Sequence, residues 1–111
     1  MNIYDDAHKL ARSLKESEEY KDYAEKSNKV FKDKKNKEMV LDFKKKALEF
    51  QIKQASEDKI DAGEEEEIKK LQDILMLNPD IKDFFISETK FSQIVADVYK
   101  IIEDAINIKE E

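Results

Sequence analysis

The sequence lacks cysteine altogether and contains one glycine, one proline and one histidine in 111 residues. Without cysteine there is no disulfide, no thiol nucleophile and no thiolate site for zinc or an iron–sulfur cluster. A single glycine and a single proline cannot supply the many turns of a β-barrel or a β-sandwich. No run of the sequence approaches the roughly 18 apolar residues of a membrane-spanning helix, which predicts a protein without membrane insertion.

What remains is the composition of a helical protein. Apolar residues make up 40% of the sequence and charged residues 43%, which is too polar for a membrane protein and too apolar for a disordered tail. The abundance of Lys, Glu, Leu and Ala favours long helices. The length is typical of one domain, so we expect a single all-helical domain over residues 1–111. The amino-terminal residues do not resemble a secretory signal, which predicts a cytoplasmic protein.

Charge is unevenly distributed along the chain. The net charge is −6, and residues 63–111 carry −7 while residues 1–62 carry +1. This acidity argues against nucleic-acid binding, which depends on neutralising phosphates. Residues 29–46 nevertheless contain eight lysines against three acidic residues. We interpret this segment as a solvated turn; docking of an acidic protein surface or of RNA is the alternative. The candidate basic patch consists of Lys32, Lys34, Lys35 and Lys37.

Apolar spacing predicts two short helices at the start of the chain. Apolar residues recur at three- and four-residue steps after Asn2, which is a plausible N-cap for the first helix. Ser17 marks a second helix start, and that helix is predicted to run to about Lys32. Residues 33–36 are predicted to form a solvated break between helices, in which Asn36 caps the next helix.

The third predicted helix is long and has two apolar stripes. It should run from about Lys37 to Ala62, roughly 39 Å, with Gly63 as its C-cap. Two stripes displaced around the axis require two packing partners. The first stripe contains Val40, Phe43, Ala47, Phe50 and Gln54, and the second contains Leu41, Leu48, Ile52 and Ala55.

Two further helices complete the chain. A short one is predicted from Glu64, and Asn78 followed by Pro79 marks the start of the last, which should extend to about Ile108. The last helix has a seven-residue apolar repeat typical of coiled-coil packing, which predicts an antiparallel hairpin between residues 37–62 and 79–108. The core or dimer seam is assigned to Phe43, Phe50, Phe84, Phe91, Ile94, Val98 and Ile101.

The remaining apolar surface of this hairpin predicts a homodimer. Two helices of this length cannot be enclosed by three short ones, so apolar residues should stay exposed in a single chain. The candidate interface residues are Phe85, Leu41, Leu48 and Met76.

Nothing in the sequence indicates catalysis. His8 has Asp5 on the same helical face, but a helical di-metal site requires paired Glu-x-x-His motifs, and the sequence has none. The carboxylates of residues 64–67 diverge around a helix axis and suit the helix dipole better than a cation. We therefore expect no enzyme activity, no cofactor and no bound metal.

Several short elements, in order, resemble the YlbF/YmcA family of small helical bacterial regulators, and most closely its YheA-like branch. The matching elements are Tyr4-Asp5-Asp6-Ala7, Leu10-Ala11, Leu14, Ser17-Glu18-Glu19-Tyr20, Phe43, Gln51, Gln54, Gly63, Asn78-Pro79 and the stretch from Phe91 through Val98 to Ile102. The resemblance implies an all-helical fold built on a long hairpin, self-association and a cytoplasmic role without known catalysis. It also implies action through protein partners. Some relatives bind iron–sulfur clusters through cysteines, which this sequence does not have.

These observations together predict a non-enzymatic cytoplasmic module for protein interaction, regulatory or scaffolding in role, that acts as a homodimer. The alternative is an RNA-associated accessory protein that uses the basic segment 29–46.

Overall fold

The computed structural model describes residues 2–56 and 62–107, which form five α-helices and contain no β-strand. This confirms the predicted all-α fold with five helices. The helices are α1 (Ile3–Glu16), α2 (Glu18–Lys32), α3 (Lys34–Ala55), α4 (Ala62–Met76) and α5 (Pro79–Ile106). The end predicted for the third helix falls partly on residues 57–61, and that of the last on Ile108; both lie outside the described residues.

Three of the helix starts are at the predicted capping residues. The side-chain oxygen of Asn2 accepts a hydrogen bond from the backbone N–H of Tyr4 at 2.9 Å. Ser17 Oγ accepts from the N–H of Tyr20 at 3.1 Å. Asn78 Oδ1 accepts from the N–H groups of Asp80 and Ile81 at 3.0 and 3.3 Å. Each cap satisfies amide groups that have no partner inside the helix.

The predicted break before α3 is shorter than expected. Asp33 alone separates α2 from α3, and its carboxylate caps α3 by accepting from the N–H of Asn36 at 3.1 Å. The prediction of Asn36 as the cap is therefore wrong, and Lys34 and Lys35 are helical. One capping carboxylate is enough to start a helix, and lysine is a good helix former.

The predicted end of α3 and the role of Gly63 also need correction. α3 ends at Ala55 with Ser56 as its C-cap, so its 22 residues span about 33 Å. Gly63 is not a C-cap, because it lies in the first turn of α4, which begins at Ala62. Glycine without a cap function is tolerated in a first turn, where helical hydrogen bonding is incomplete.

The chain divides into two compact units. The central unit comprises residues 26–84 and contains α3, α4, the end of α2 and the start of α5. Among its helices, α3 packs closely on α4. Its buried apolar core consists of Val30, Val40, Leu75, Ile81 and Phe84. Asn78 Nδ2 donates to Asn36 Oδ1 at 3.1 Å and so ties the start of α5 to the first turns of α3.

The terminal unit comprises residues 1–25 and 85–111, that is, α1, the first part of α2 and most of α5. None of its described apolar side chains is buried; the one buried side chain is that of Ser87. From Phe85 onward α5 groups with α1 and α2, whereas α3 lies in the other unit. Lengthwise pairing of α5 with α3 is a relation between the two units and stays a prediction. None of the described helices is both long and apolar enough to cross a membrane.

Candidate interaction surfaces

An aromatic cluster lies where α2 meets α5 in the terminal unit. The ring of Phe91 contacts that of Tyr20 edge-on, with centroids 5.2 Å apart, and stacks on that of Tyr23 at 5.9 Å. The two tyrosine rings also meet edge-on at 6.4 Å. The heptad repeat predicted that Phe91 packs inward, but it did not predict these tyrosines as its partners. All three rings are half-buried, so the cluster holds α2 on α5 without forming a closed core.

An open apolar groove follows further along α5. It has a volume of about 220 Å³, and its lining is formed by Leu10, Leu14, Val95, Val98, Tyr99 and Ile102. Of the seam residues assigned from sequence, Val98 lines this groove, Ile94 is half-buried and Ile101 is 69% exposed. Tyr99 joins the lining because it lies at helical spacing from Val95 and Ile102. The groove is therefore an apolar surface open to solvent.

The apolar stripe of α1 is also uncovered. α1 is the most amphipathic of the five helices, yet it has no buried residue. Ile3 is 78% exposed and Tyr4 is 77% exposed. An amphipathic helix gains most of its stability from packing its apolar face against another surface. The exposed stripe is thus a second apolar surface of the terminal unit.

The two stripes of α3 differ in burial within the central unit. Val40 of the first stripe is buried, and Phe43 and Phe50 are half-buried. Leu41, Leu48 and Ile52 of the second stripe are exposed. The other two interface candidates, Met76 and Phe85, are half-buried, each in its own unit. Two further exposed apolar residues are Ile74 in α4 and Leu77 directly after that helix.

Phe84 is the seam residue that the structure buries completely. Its ring meets that of Phe31 edge-on at 5.5 Å, and the Lys44 ammonium lies 5.2 Å from its centroid. A cation over an aromatic face is held by the ring quadrupole. The start of α5 is thereby anchored to α2 and α3 inside the central unit.

Some lysines of the basic segment 29–46 form ion pairs with acidic side chains of the same unit. Lys29 forms an ion pair with Asp80 at 3.2 Å. Lys46 lies 3.3 Å from Asp42 and 3.6 Å from Glu67, and hydrogen bonding and charge from Asp42, followed by Glu67, raise the pKa of Lys46. The proposed patch residues Lys32, Lys34, Lys35 and Lys37 are all exposed, at the end of α2 and the first turn of α3.

A charged groove of about 190 Å³ lies between α3 and α4. The Lys53 ammonium donates to Glu64 at 2.8 Å across it. The lining is Lys46, Glu49, Phe50, Lys53, Glu64, Glu67 and Ile68. Lys46 and Lys53 of α3 form ion pairs with Glu67 and Glu64 of α4, and these pairs join the two helices. Within residues 2–56 and 62–107, no three His, Asp or Glu side chains are grouped so that they could hold a metal ion, and His8 is exposed.

The fold and these surfaces define a class of small all-helical protein whose described residues include exposed apolar faces. Residues 3–107 match the family described as control of competence regulator ComK, YlbF/YmcA. The chain belongs to this family, as the sequence resemblance indicated.

Relatives match over nearly the whole chain. A UPF0342 protein of Caldicellulosiruptor saccharolyticus is 41% identical over 110 residues, covering 99% of this chain and 92% of its own length. One from Symbiobacterium thermophilum is 33% identical, covering 96% and 95%. Among solved structures, a protein of unknown function (DUF964) from Bacillus stearothermophilus superposes with a TM-score of 0.81 at 19% identity, covering 94% of this chain and 91% of that one. That similarity supports the fold.

Proposed function

We propose that this protein is a non-enzymatic interaction module that acts in the cytoplasm as a homodimer and regulates or scaffolds other proteins. The regulatory part of the proposal is supported by membership of a family described through control of a competence regulator. The non-enzymatic part is supported by the character of the described surfaces, which are apolar faces and paired charges.

The main support for the homodimer is the lack of a closed core in the terminal unit. Its described apolar side chains are all at least partly exposed, whereas the central unit buries five. A terminal unit without a closed core leaves apolar surface that a second copy can cover.

Light scattering during size-exclusion chromatography tests the proposal directly. At micromolar concentration we expect a mass of twice the 13.1 kDa chain. The thermal midpoint should also rise with protein concentration, because association stabilises the folded state by mass action. A well-folded monomer whose midpoint does not depend on concentration would overturn the homodimer.

RNA binding through segment 29–46 has weaker support. The exposure of Lys32, Lys34, Lys35 and Lys37 favours it. Of the other lysines in the segment, however, Lys29 and Lys46 lie in ion pairs, and Lys44 lies over the ring of Phe84. Phosphate affinity scales with the number of cations available to neutralise the backbone, so the ion-paired lysines contribute less.

A further inference from the structure

We propose that the exposed side of α3 docks an acidic amphipathic segment of a partner protein. This inference rests on the protein-interaction part of the proposed function, and it names the surface and the chemistry of the partner. Each residue of an α-helix is turned by about 100° from the one before it. By this spacing six residues fall within an arc of about 80° and form the α3 face: Lys34, Lys37, Leu41, Lys45, Leu48 and Ile52.

The α3 face is open to solvent along its length. Leu41 is 48% exposed, Leu48 57% and Ile52 59%. The three lysines of the face are exposed as well. The opposite side of the helix, which carries Val40, contributes to the buried core of the central unit. From Lys34 to Ile52 the face is about 27 Å long, which is the length of a helix of about five turns. α3 therefore packs with one side and presents the other to solvent.

The lysines of the α3 face are not used in ion pairs within the fold. Among the described residues, the ammonium groups of Lys34, Lys37 and Lys45 have no carboxylate within 4.0 Å. Lys46, which lies off the face, pairs with Asp42 of the same helix. Lys34 also lies in the first turn of α3, where a cation is unfavourable beside the positive end of the helix dipole. The charge of the face is therefore available to carboxylates of another molecule.

The sign of the charge selects an acidic partner. Every charged residue of the α3 face is a lysine, and the nearest carboxylates, those of Glu38 and Glu49, lie along one edge by helical spacing. The whole helix has seven lysines against three acidic residues, although the net charge of the chain is −6. A segment with carboxylates beside an apolar stripe is complementary in both respects, because its carboxylates meet the lysines and its apolar side chains meet the leucines.

RNA fits the α3 face less well than such a segment does. Phosphates can pair with the lysines, but the apolar side chains of Leu41, Leu48 and Ile52 would have no counterpart in a phosphate backbone. Base stacking requires aromatic side chains, and the face has none. The net charge of −6 also repels a long polyanion more than a short acidic segment.

Fluorescence anisotropy with a designed peptide tests the proposal. The probe is a fluorescein-labelled peptide of 22 residues, the length of α3, with leucines at three- and four-residue steps and glutamates on both sides of them. A second peptide has the same composition in scrambled order. We expect saturable binding of the first peptide that weakens as salt is added. The scrambled peptide should bind at least about 10-fold more weakly, because it cannot present an apolar stripe.

A matched pair of charge reversals locates the site. Lys34→Glu plus Lys37→Glu changes the α3 face, and Lys69→Glu plus Lys70→Glu makes the same change at exposed lysines of α4. The α3 variant should raise the dissociation constant of the peptide by about 10-fold or more, because two attractive pairs become repulsive. The α4 variant should stay within about 3-fold of wild type at physiological ionic strength, where charges more than about 8 Å apart are largely screened.

A matched pair of apolar substitutions tests the other half of the recognition. Leu48→Gln and Ile74→Gln replace residues that are 57% and 54% exposed. Leu48→Gln should raise the dissociation constant by about 5-fold or more, because an apolar contact with the peptide is lost. Ile74→Gln, in α4, should leave it within about 2-fold of wild type. Both variants should keep the wild-type circular dichroism spectrum, because neither side chain belongs to the buried core.

Several results would overturn the inference: no binding of the designed peptide, equal binding of the scrambled one, or α3 variants that weaken binding no more than their α4 controls. A labelled single-stranded RNA that binds, and whose binding is lost in the Lys34 and Lys37 variant but kept in Leu48→Gln, would assign the face to RNA instead. Loss of self-association in Leu48→Gln without peptide binding to the wild type would assign it to a second copy. A monomeric wild-type chain that binds the peptide overturns the homodimer alone, so the two failures are distinguishable.

Discussion

Truncation of Phe91 should be among the most damaging changes in the terminal unit. Phe91 joins α5 to α2 through an edge-on contact with Tyr20 at 5.2 Å and a stacked contact with Tyr23 at 5.9 Å. Replacing a fully buried Phe by Ala costs about 3–5 kcal/mol, and a half-buried one roughly half of that. Aromatic pairs add about 0.5–1.5 kcal/mol each beyond their buried area. We therefore expect Phe91→Ala to lower the free energy of unfolding by about 2.5–5.5 kcal/mol.

The measurement is urea unfolding followed by far-ultraviolet circular dichroism. All variants must be compared at one protein concentration, because the proposed dimer would make the midpoint depend on concentration. Phe91→Leu is the control: it keeps an apolar side chain but loses both aromatic pairs, so it should cost about 1–3 kcal/mol. Phe91→Asp should lower the free energy of unfolding more than Phe91→Ala does, because the carboxylate would lose hydration beside the two tyrosine rings. If the free energy of unfolding of Phe91→Ala is within about 0.5 kcal/mol of wild type, the cluster does not stabilise the packing of α2 on α5, because an ordinary surface change has an effect of that size.

Two further predictions concern the central unit and its basic segment. Asn78→Ala should lower the free energy of unfolding by about 2 kcal/mol in the same urea assay, because it removes the α5 cap and the hydrogen bond to Asn36. Asn2→Ala, which removes a cap alone at an exposed helix start, should cost about 1 kcal/mol or less, and equal losses in the two variants would contradict the added role of the Asn36 contact. For the basic segment, a fluorescent single-stranded RNA should show no anisotropy change with the wild-type protein at low salt. Binding that weakens with salt and is lost in Lys34→Glu plus Lys35→Glu would instead support the RNA alternative.

Local interactions explain why so much of the helical architecture could be predicted. A cap involves residues two or three positions apart, so Asn2, Ser17 and Asn78 were recognisable without any knowledge of the fold. The errors at the ends of α3 are also local. Either Asp33 or Asn36 could cap a helix, and the choice between them depends on a competition that spacing alone does not resolve.

Periodicity showed which faces of the helices are apolar, but only the tertiary structure decided what covers each face. The seam of α5 was compatible with α3, with α1 and α2, or with a second copy, because an apolar stripe has no preferred partner. In the fold, Phe84 at its start packs in the central unit and Phe91 packs on the tyrosines of α2. Likewise, both stripes of α3 were visible in the sequence, yet Val40 is buried and Leu48 is exposed. Burial depends on contacts between residues far apart in the chain, and those contacts exist only once the helices have packed.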